Sequence, residues 1–435
     1  MKAPYSGIPW VAVVGRGRLR VALAVVLACY IPVCLTSLLF ALHYTTHRIA
    51  YEQQQLPYAI GTMVLVYIAA IPFLFARFSF GYFVGFYLLT IVLGFVGLSW
   101  FTSFEYDHQA ARISAVASII AFLFPALSVS VPFQSRVRIS PDVFHRLLGI
   151  LLIAATATII IGASYDFHPV GLNSIQDLRP TLKFPVLVGY MIGIVSSTVL
   201  PFLFTIFLME RRLWRVGLTL ILLAFLYPIT LTKMAFFAPV WLVGLAVLSQ
   251  FLELRVTVIL SLLLPLFLGV VLLAIFQDHA RTYFDIVNFR MITVPSSAMN
   301  VYNDYFARHE PTHFCQISFL NKLLNCPDNE PLFVIMERTY GLGFFNASLL
   351  ATEGVASVGL TFAPIAVFVC GLVVSIGNYC SQGLPPRLVL LSSAMVAQYI
   401  LNVPLTTVML THGAGLLFLL WYLTPRTLFE QDAGG

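Results

Sequence analysis

The sequence predicts an all-α, polytopic membrane protein of about twelve transmembrane helices, and three observations predict it. Of 435 residues, 60% are hydrophobic and only 10% charged, against roughly a quarter charged in an average soluble domain. Uncharged runs of about 20 residues, the length that crosses roughly 30 Å of hydrocarbon, recur from Val21 to Leu423. The basic residues between the runs fall unevenly on the two sides.

Ten runs read directly as spans: Val21 to His43, Tyr58 to Ala76, Phe80 to Phe101, Ile113 to Phe133, Leu147 to Ser164, Pro185 to Met209, Val216 to Leu231, Met234 to Leu252, Val256 to Phe276 and Ser357 to Gly377. The stretch Leu388 to Leu423 holds two more if the chain turns near Asn402 to Pro404. Pro and Gly inside spans are ordinary, because neighbouring helices satisfy the freed backbone groups. Arg16, Arg18 and Arg20 precede the first run as in a signal peptide. Its apolar core exceeds the roughly 7–15 residues of such a peptide and no small-residue cleavage site follows, so it reads as a retained anchor.

With the N-terminus in the cytoplasm, fourteen basic residues fall in inner segments and five, Arg48, Arg112, Arg179, Lys183 and Lys233, in short outer loops. This asymmetry follows the positive-inside rule. The net charge of +6 therefore reports orientation and gives no support to nucleic-acid binding. The chain divides into spans one to nine (1–276), a large outer loop (277–356), and spans ten to twelve with a cytoplasmic tail (357–435).

The loop carries eight acidic residues against five basic ones, so an anion site within it has to be a local cluster. Cys315 and Cys326 share this loop, and an oxidising exterior permits them to pair. No internal repeat, metal-ligand spacing or Gly-rich phosphate loop occurs, and no cofactor is expected. All eighteen Asp and Glu lie outside the spans as drawn. Intramembrane carboxylates usually mark ion pathways, so ion-coupled transport loses weight, although unwound backbone carbonyls also coordinate ions.

Charged residues gather at the outer ends of spans instead. Lys233 sits between two apolar runs with almost no loop around it, either snorkelling to the interface or meeting the phosphate of a lipid-linked substrate. Arg281 and Arg290 follow the ninth span closely. From Pro295 to Arg308, Ala298, Val301, Tyr302, Tyr305 and Phe306 recur at helical spacing, with Asn300, Asn303 and Asp304 off that face. Such a helix lies on the membrane surface, covers a cavity or packs on the bundle, and its tyrosines suit sugar rings. Pro331 to Phe345 is half apolar and fit to dip back toward the membrane. Further on, Asn346 and Glu353 are seven apart, two turns on one helix face. Glu353 either favours the N-terminal end of its helix dipole or faces a cavity as a candidate base.

These features resemble the Wzy-type oligosaccharide repeat-unit polymerases of bacterial O-antigen and related surface polysaccharides. The resemblance rests on about twelve spans with one large late loop, on FRMITVPSSAMNVYNDYF (Phe289 to Phe306), on N-x6-E-x5-G at Asn346, Glu353 and Gly359, and on TKMAFFAP at Thr232 to Pro239. It implies a metal-independent membrane glycosyltransferase with a GT-C-like helical bundle in the bacterial inner membrane. That enzyme moves a glycan from undecaprenyl pyrophosphate to an incoming lipid-linked repeat unit on the periplasmic face, with a chain-length regulator as a further partner. Arg290, Lys233 and Arg281 are then the pyrophosphate contacts, Glu353, Asp304 and His313, in that order, the catalytic candidates, and Tyr302, Tyr305 and Asn346 the sugar contacts. Two rivals share the architecture. An O-antigen ligase is expected to carry His-x10-Gly, and neither His309 nor His313 has Gly eleven positions on. A flippase or exporter of lipid-linked sugars is expected to line an inner cavity with basic residues, which the spans nearly lack.

Overall fold

The computed structural model describes residues 16–44, 48–128, 139–171, 178, 182–317, 330–343 and 346–430. They form an all-α bundle, and no β-strand occurs among them. Ten helices are long and apolar enough to cross a bilayer. The first nine are α1 Gly17–His43, α2 Gln53–Phe75, α3 Phe80–Leu98, α4 His108–Ser128, α5 Pro141–Tyr165, α6 Val186–Met209, α7 Leu213–Thr230, α8 Lys233–Phe251 and α9 Leu254–Phe276. Two shorter helices follow, α10 Val294–Phe306 and α11 Leu332–Tyr340, and then the tenth long one, α12 Leu350–Cys380. The chain is a multi-pass membrane protein.

The last two expected spans are not continuous helices. They are built from α13 Pro386–Ser392, α14 Ala394–Ile400, α15 Leu405–Leu410 and α16 Ala414–Leu423. The chain turns between α14 and α15, where Pro404 caps α15, and breaks again at Gly413, whose left-handed φ of 74° precedes α16.

Every residue of α3 is buried. Its sequence is apolar on all sides, which suits a helix enclosed by others, and its few polar groups are paired inside: Tyr87 Oη with Ser261 Oγ at 2.9 Å and Thr90 Oγ1 with Tyr30 Oη at 2.7 Å. Large apolar side chains such as Phe124, Ile153 and Val240 are exposed on the outer helices, the surface that lipid covers.

Contacts between connecting segments sort into two ends. At one, Arg255 donates to Ala76 O (3.1 Å), Arg387 to Ala246 O (2.8 Å) and Arg426 to Cys380 O (2.7 Å). At the other, the Arg48 guanidinium lies over Phe104 and Tyr340, and Glu105 N–H donates to Asp304 at 2.8 Å. These are the ends that the sequence reading assigns to the inner and outer sides.

The segment after α9 departs from the expected outer loop. The chain reverses at Gln277 (φ 49°) and runs back along α9, since Tyr283 Oη donates to Pro265 O (3.3 Å) and Asn288 Nδ2 to Leu266 O (2.7 Å) and Ser37 Oγ (2.9 Å). It bends through a π-helical turn, Phe289–Thr293, and returns outward as α10 against α3. The segment 288–306 is therefore re-entrant. Close approach explains two glycines: a Cβ on Gly269 would fall 1.8 Å from Asn288 Oδ1, and one on Gly94 would fall 2.2 Å from Ser296 Oγ.

Burial of α10 corrects the amphipathic reading. Asn300, Asn303 and Asp304, expected off its apolar face, are as buried as Ala298, Val301 and Tyr302, because α3 packs on one side of α10 and the start of α12 on another. Cys315 is disulfide-bonded. Its expected partner, Cys326, lies outside the described residues.

Candidate functional site

Three groups of the expected residues sit at the outer end, and each is positioned differently. The cations come first. Leu231 takes a left-handed φ of 47° to reverse the chain between α7 and α8, and Thr232 Oγ1 accepts the Ala235 N–H at 3.3 Å to cap α8. Lys233 is thus the first residue of α8, where a cation opposes the helix dipole by about 0.3–1 kcal/mol. Its position does not serve helix stability. Arg290, in the π-helical turn, and Asp285 lie within electrostatic reach of Lys233, and Arg281 approaches Asp285 at 3.8 Å. Lys233 and Arg281 therefore share the carboxylate of Asp285, and Arg290 lies within electrostatic reach of Lys233.

Glu353 forms the second group. The tenth long helix begins at Leu350 and not Ser357, which brings Glu353 into it, 3% exposed. Glu353 is thus a carboxylate within a long apolar helix, whereas Asp285 follows the reversal at Gln277. The first turns of α12 are a π-helix, Leu350–Ala356, a form often found at functional sites. Gly359, at φ 74° and ψ 173°, then breaks the helix in a conformation that is essentially glycine's alone. The carbonyls freed by this break accept the N–H groups of Thr312 (to Ala356, 2.7 Å) and His313 (to Ser357, 3.0 Å).

Glu353 itself accepts three hydrogen bonds. Thr352 Oγ1 donates to Oε2 at 2.5 Å, and the N–H and Oγ1 of Thr406 both donate to Oε1 at 3.0 Å. Thr406 opens α15, so Glu353 caps the N-terminus of another helix as well as entering its own. Four acceptor positions on a carboxylate less three bonds leave one on Oε2. Ser348 Oγ and Asn402 Oδ1 are buried without hydrogen-bond partners among the described residues.

Asp304 is the third group, and its contacts are structural. The fully buried carboxylate accepts Glu105 N–H (2.8 Å), Arg308 Nη2 (2.7 Å) and Tyr340 Oη (2.7 Å). It ties the 99–107 connection and α11 to α10. Burial first, and the bonded Asp304 carboxylate next, hold the Tyr340 phenol above its ordinary range.

The sugar contacts are not brought together. Tyr302 is 1% exposed and lies beside Glu353, with burial and that carboxylate raising its phenol pKa. Tyr305 is half-buried, and His309 stacks on its ring at 3.9 Å. Asn346 is exposed in a non-helical stretch, so it does not share a helix face with Glu353. His313 is exposed, with its backbone at φ 47° beside the Gly359 break.

Thr352, Thr406 and Tyr340 escaped sequence reasoning. Thr406 is 53 positions from Glu353, and only the fold brings them together. No protein-family model matches the chain, and neither a curated protein nor a solved structure shows significant similarity to it.

Proposed function

We propose that this chain is a polysaccharide repeat-unit polymerase of the Wzy type. It joins undecaprenyl-pyrophosphate-linked oligosaccharide units at the periplasmic face of the bacterial inner membrane, to build O-antigen, capsule or exopolysaccharide. The observation that supports this reading is the pairing of Lys233 and Arg281 with Asp285, with Arg290 in reach of Lys233, in a bundle that also buries the Glu353 carboxylate.

The chemistry assigns each part a task. A sugar hydroxyl of the incoming unit attacks the anomeric carbon of the growing glycan. A carbon–oxygen bond forms there as the bond from that carbon to the pyrophosphate oxygen breaks, and the electron pair leaves with the lipid pyrophosphate. Lys233, Arg281 and Arg290 stabilise the departing anion. The hydroxyl proton passes to a carboxylate, with Glu353 the first choice through its unoccupied Oε2 position and exposed His313 the alternative. Asp304, with three bonds already made, holds the scaffold.

Cells carrying Arg290→Ala or Lys233→Ala test the assignment. Each variant is expected to display single repeat units on the cell surface without polymer. Normal-length polymer from a stably expressed Arg290→Ala protein removes that residue from the site.

One observation favours a second reading, a flippase or exporter of lipid-linked sugars. α6 carries a π-helical turn at Val195–Val199, α12 breaks at Gly359 and the last crossing breaks at Gly413, and discontinuous helices are frequent in transporters. Movement of lipid-linked units across a vesicle membrane by the purified protein, with no bond formed between them, establishes that reading instead.

A further inference from the structure

A second outer cleft lies away from the cations, with a volume of about 360 Å³. One wall is Ala50, Glu52 and Gln55, before and within the first turn of α2, and the other is Ser99 to Ser103, His108 and Arg112, from the end of α3 to the start of α4. Its size falls in the range of small-molecule sites.

The walls are held before any ligand arrives. Ile49 and Thr102 form an antiparallel bridge, Ala50 N–H donates to Phe101 O and Ser103 N–H to Arg48 O, both at 2.9 Å. Beyond the cleft, the same connection is anchored to the re-entrant helix, through Glu105 N–H on Asp304 and Tyr106 Oη on Asn300 Oδ1 at 2.5 Å.

Arg112 is the centre of this cleft. Its guanidinium lies over the Trp100 ring at 3.9 Å and donates to Ser99 Oγ at 3.3 Å. Trp100 is fixed in turn by Tyr58, stacked at 5.3 Å, and by its own Nε1–H on Thr62 Oγ1 at 3.0 Å. No ion pair to Arg112 occurs among the described residues. A planar five-donor group is thus set rigidly at the rim of a cleft whose other polar groups are a carboxylate (Glu52), an amide (Gln55), an imidazole (His108) and hydroxyls. Donors and acceptors alternate over aromatic walls, with no excess of either charge. That composition fits a ring bearing several hydroxyls better than it fits an isolated anion, which Glu52 would repel, or an apolar chain.

We infer that this cleft is a saccharide subsite, in which the Arg112 guanidinium donates to adjacent ring hydroxyls and Glu52 and Gln55 accept from others. The inference deepens the polymerase reading and rests on it for the source of the sugar, a unit of the glycan being extended. Glu52 is exposed and its side chain makes no cap bond, so substitution there leaves the fold intact.

The test is titration of the purified full-length protein in nanodiscs with lipid-free oligosaccharide released by mild acid from the surface polysaccharide of cells that carry the protein. Wild type is expected to bind saturably, with Glu52→Ala, Gln55→Ala and Arg112→Lys each weakening binding at least tenfold. Lys183→Ala, exposed and outside the cleft, is expected to bind within twofold of wild type. Absence of saturable binding by wild type, or wild-type affinity in both Glu52→Ala and Gln55→Ala, overturns the subsite. Polymer assays on the same preparations separate the two ideas. Polymer from wild type together with binding indifferent to the cleft variants removes the subsite and leaves the polymerase. Cleft-dependent binding without polymer supports the subsite and removes the polymerase.

Discussion

The Glu353 carboxylate accepts the backbone N–H of Thr406 at 3.0 Å, so an acidic residue near the start of one broken helix closes the N-terminus of another. Glu353→Gln keeps the side-chain volume but replaces one acceptor oxygen with an amide that meets donors. Stability is expected to fall by about 1–3 kcal/mol, the cost of an unsatisfied buried group. Thr406→Val removes only the hydroxyl bond and is expected to cost about 0.5–1.5 kcal/mol. Thermal unfolding in detergent reads both, and equal melting temperatures for wild type and Glu353→Gln would falsify this account of the contact.

Asp304 is expected to be a more damaging position than Arg308. Asp304→Ala leaves the Tyr340 hydroxyl and the Glu105 N–H without their acceptor, a loss of about 1–3 kcal/mol. Arg308→Ala, whose side chain is 54% exposed, is expected to cost less than about 1 kcal/mol. The order of unfolding temperatures checks this, and a larger loss in Arg308→Ala contradicts it.

Gly359→Ala places a Cβ on a backbone conformation that costs a non-glycine residue about 1–3 kcal/mol. The break in α12 is then expected to shift, and Glu353 with it. Polymer formation is expected to drop by at least tenfold while protein remains in the membrane. Unchanged polymer in Gly359→Ala means the break does not position the carboxylate.

The re-entrant segment has its own test. Ser297 is 3% exposed, so Ser297→Cys is expected to resist a membrane-impermeant maleimide. Adding Gly269→Val, which drives a side chain into Asn288, is expected to open the segment and allow labelling. Rapid labelling of Ser297→Cys alone places 288–306 outside the bundle.

The fold was legible where composition decides it. Long apolar runs gave the ten continuous spans, and the pair Asn402 and Pro404 marked the last turn. The re-entrant segment was not legible, because its polar residues Asn300, Asn303 and Asp304 are spaced like a solvent face, whereas Asn300 and Asp304 find partners on the connection after α3 and on α11 and Asn303 donates to Met299 O of its own helix. Of the candidate site, Lys233, Arg281 and Arg290 stood out as cations at span ends; Lys233 and Arg281 lie near Asp285, and Arg290 is in reach of Lys233. The tyrosines were misleading: an aromatic stripe at helical spacing marks a packed face as readily as a sugar platform, and Tyr302 is packed. Thr406 and Tyr340 carry no local signal, since their partners are remote in the chain.

The most direct measurement of the proposed activity is reconstitution. Purified protein in proteoliposomes is supplied with undecaprenyl-pyrophosphate-linked repeat units and no metal, and products are resolved by size. Wild type is expected to yield a ladder spaced by one repeat unit, while Lys233→Ala and Arg290→Ala lose at least a hundredfold in rate. Unjoined units after prolonged incubation with folded wild-type protein, or ladders of equal intensity from both variants, contradict the polymerase and its pyrophosphate site respectively.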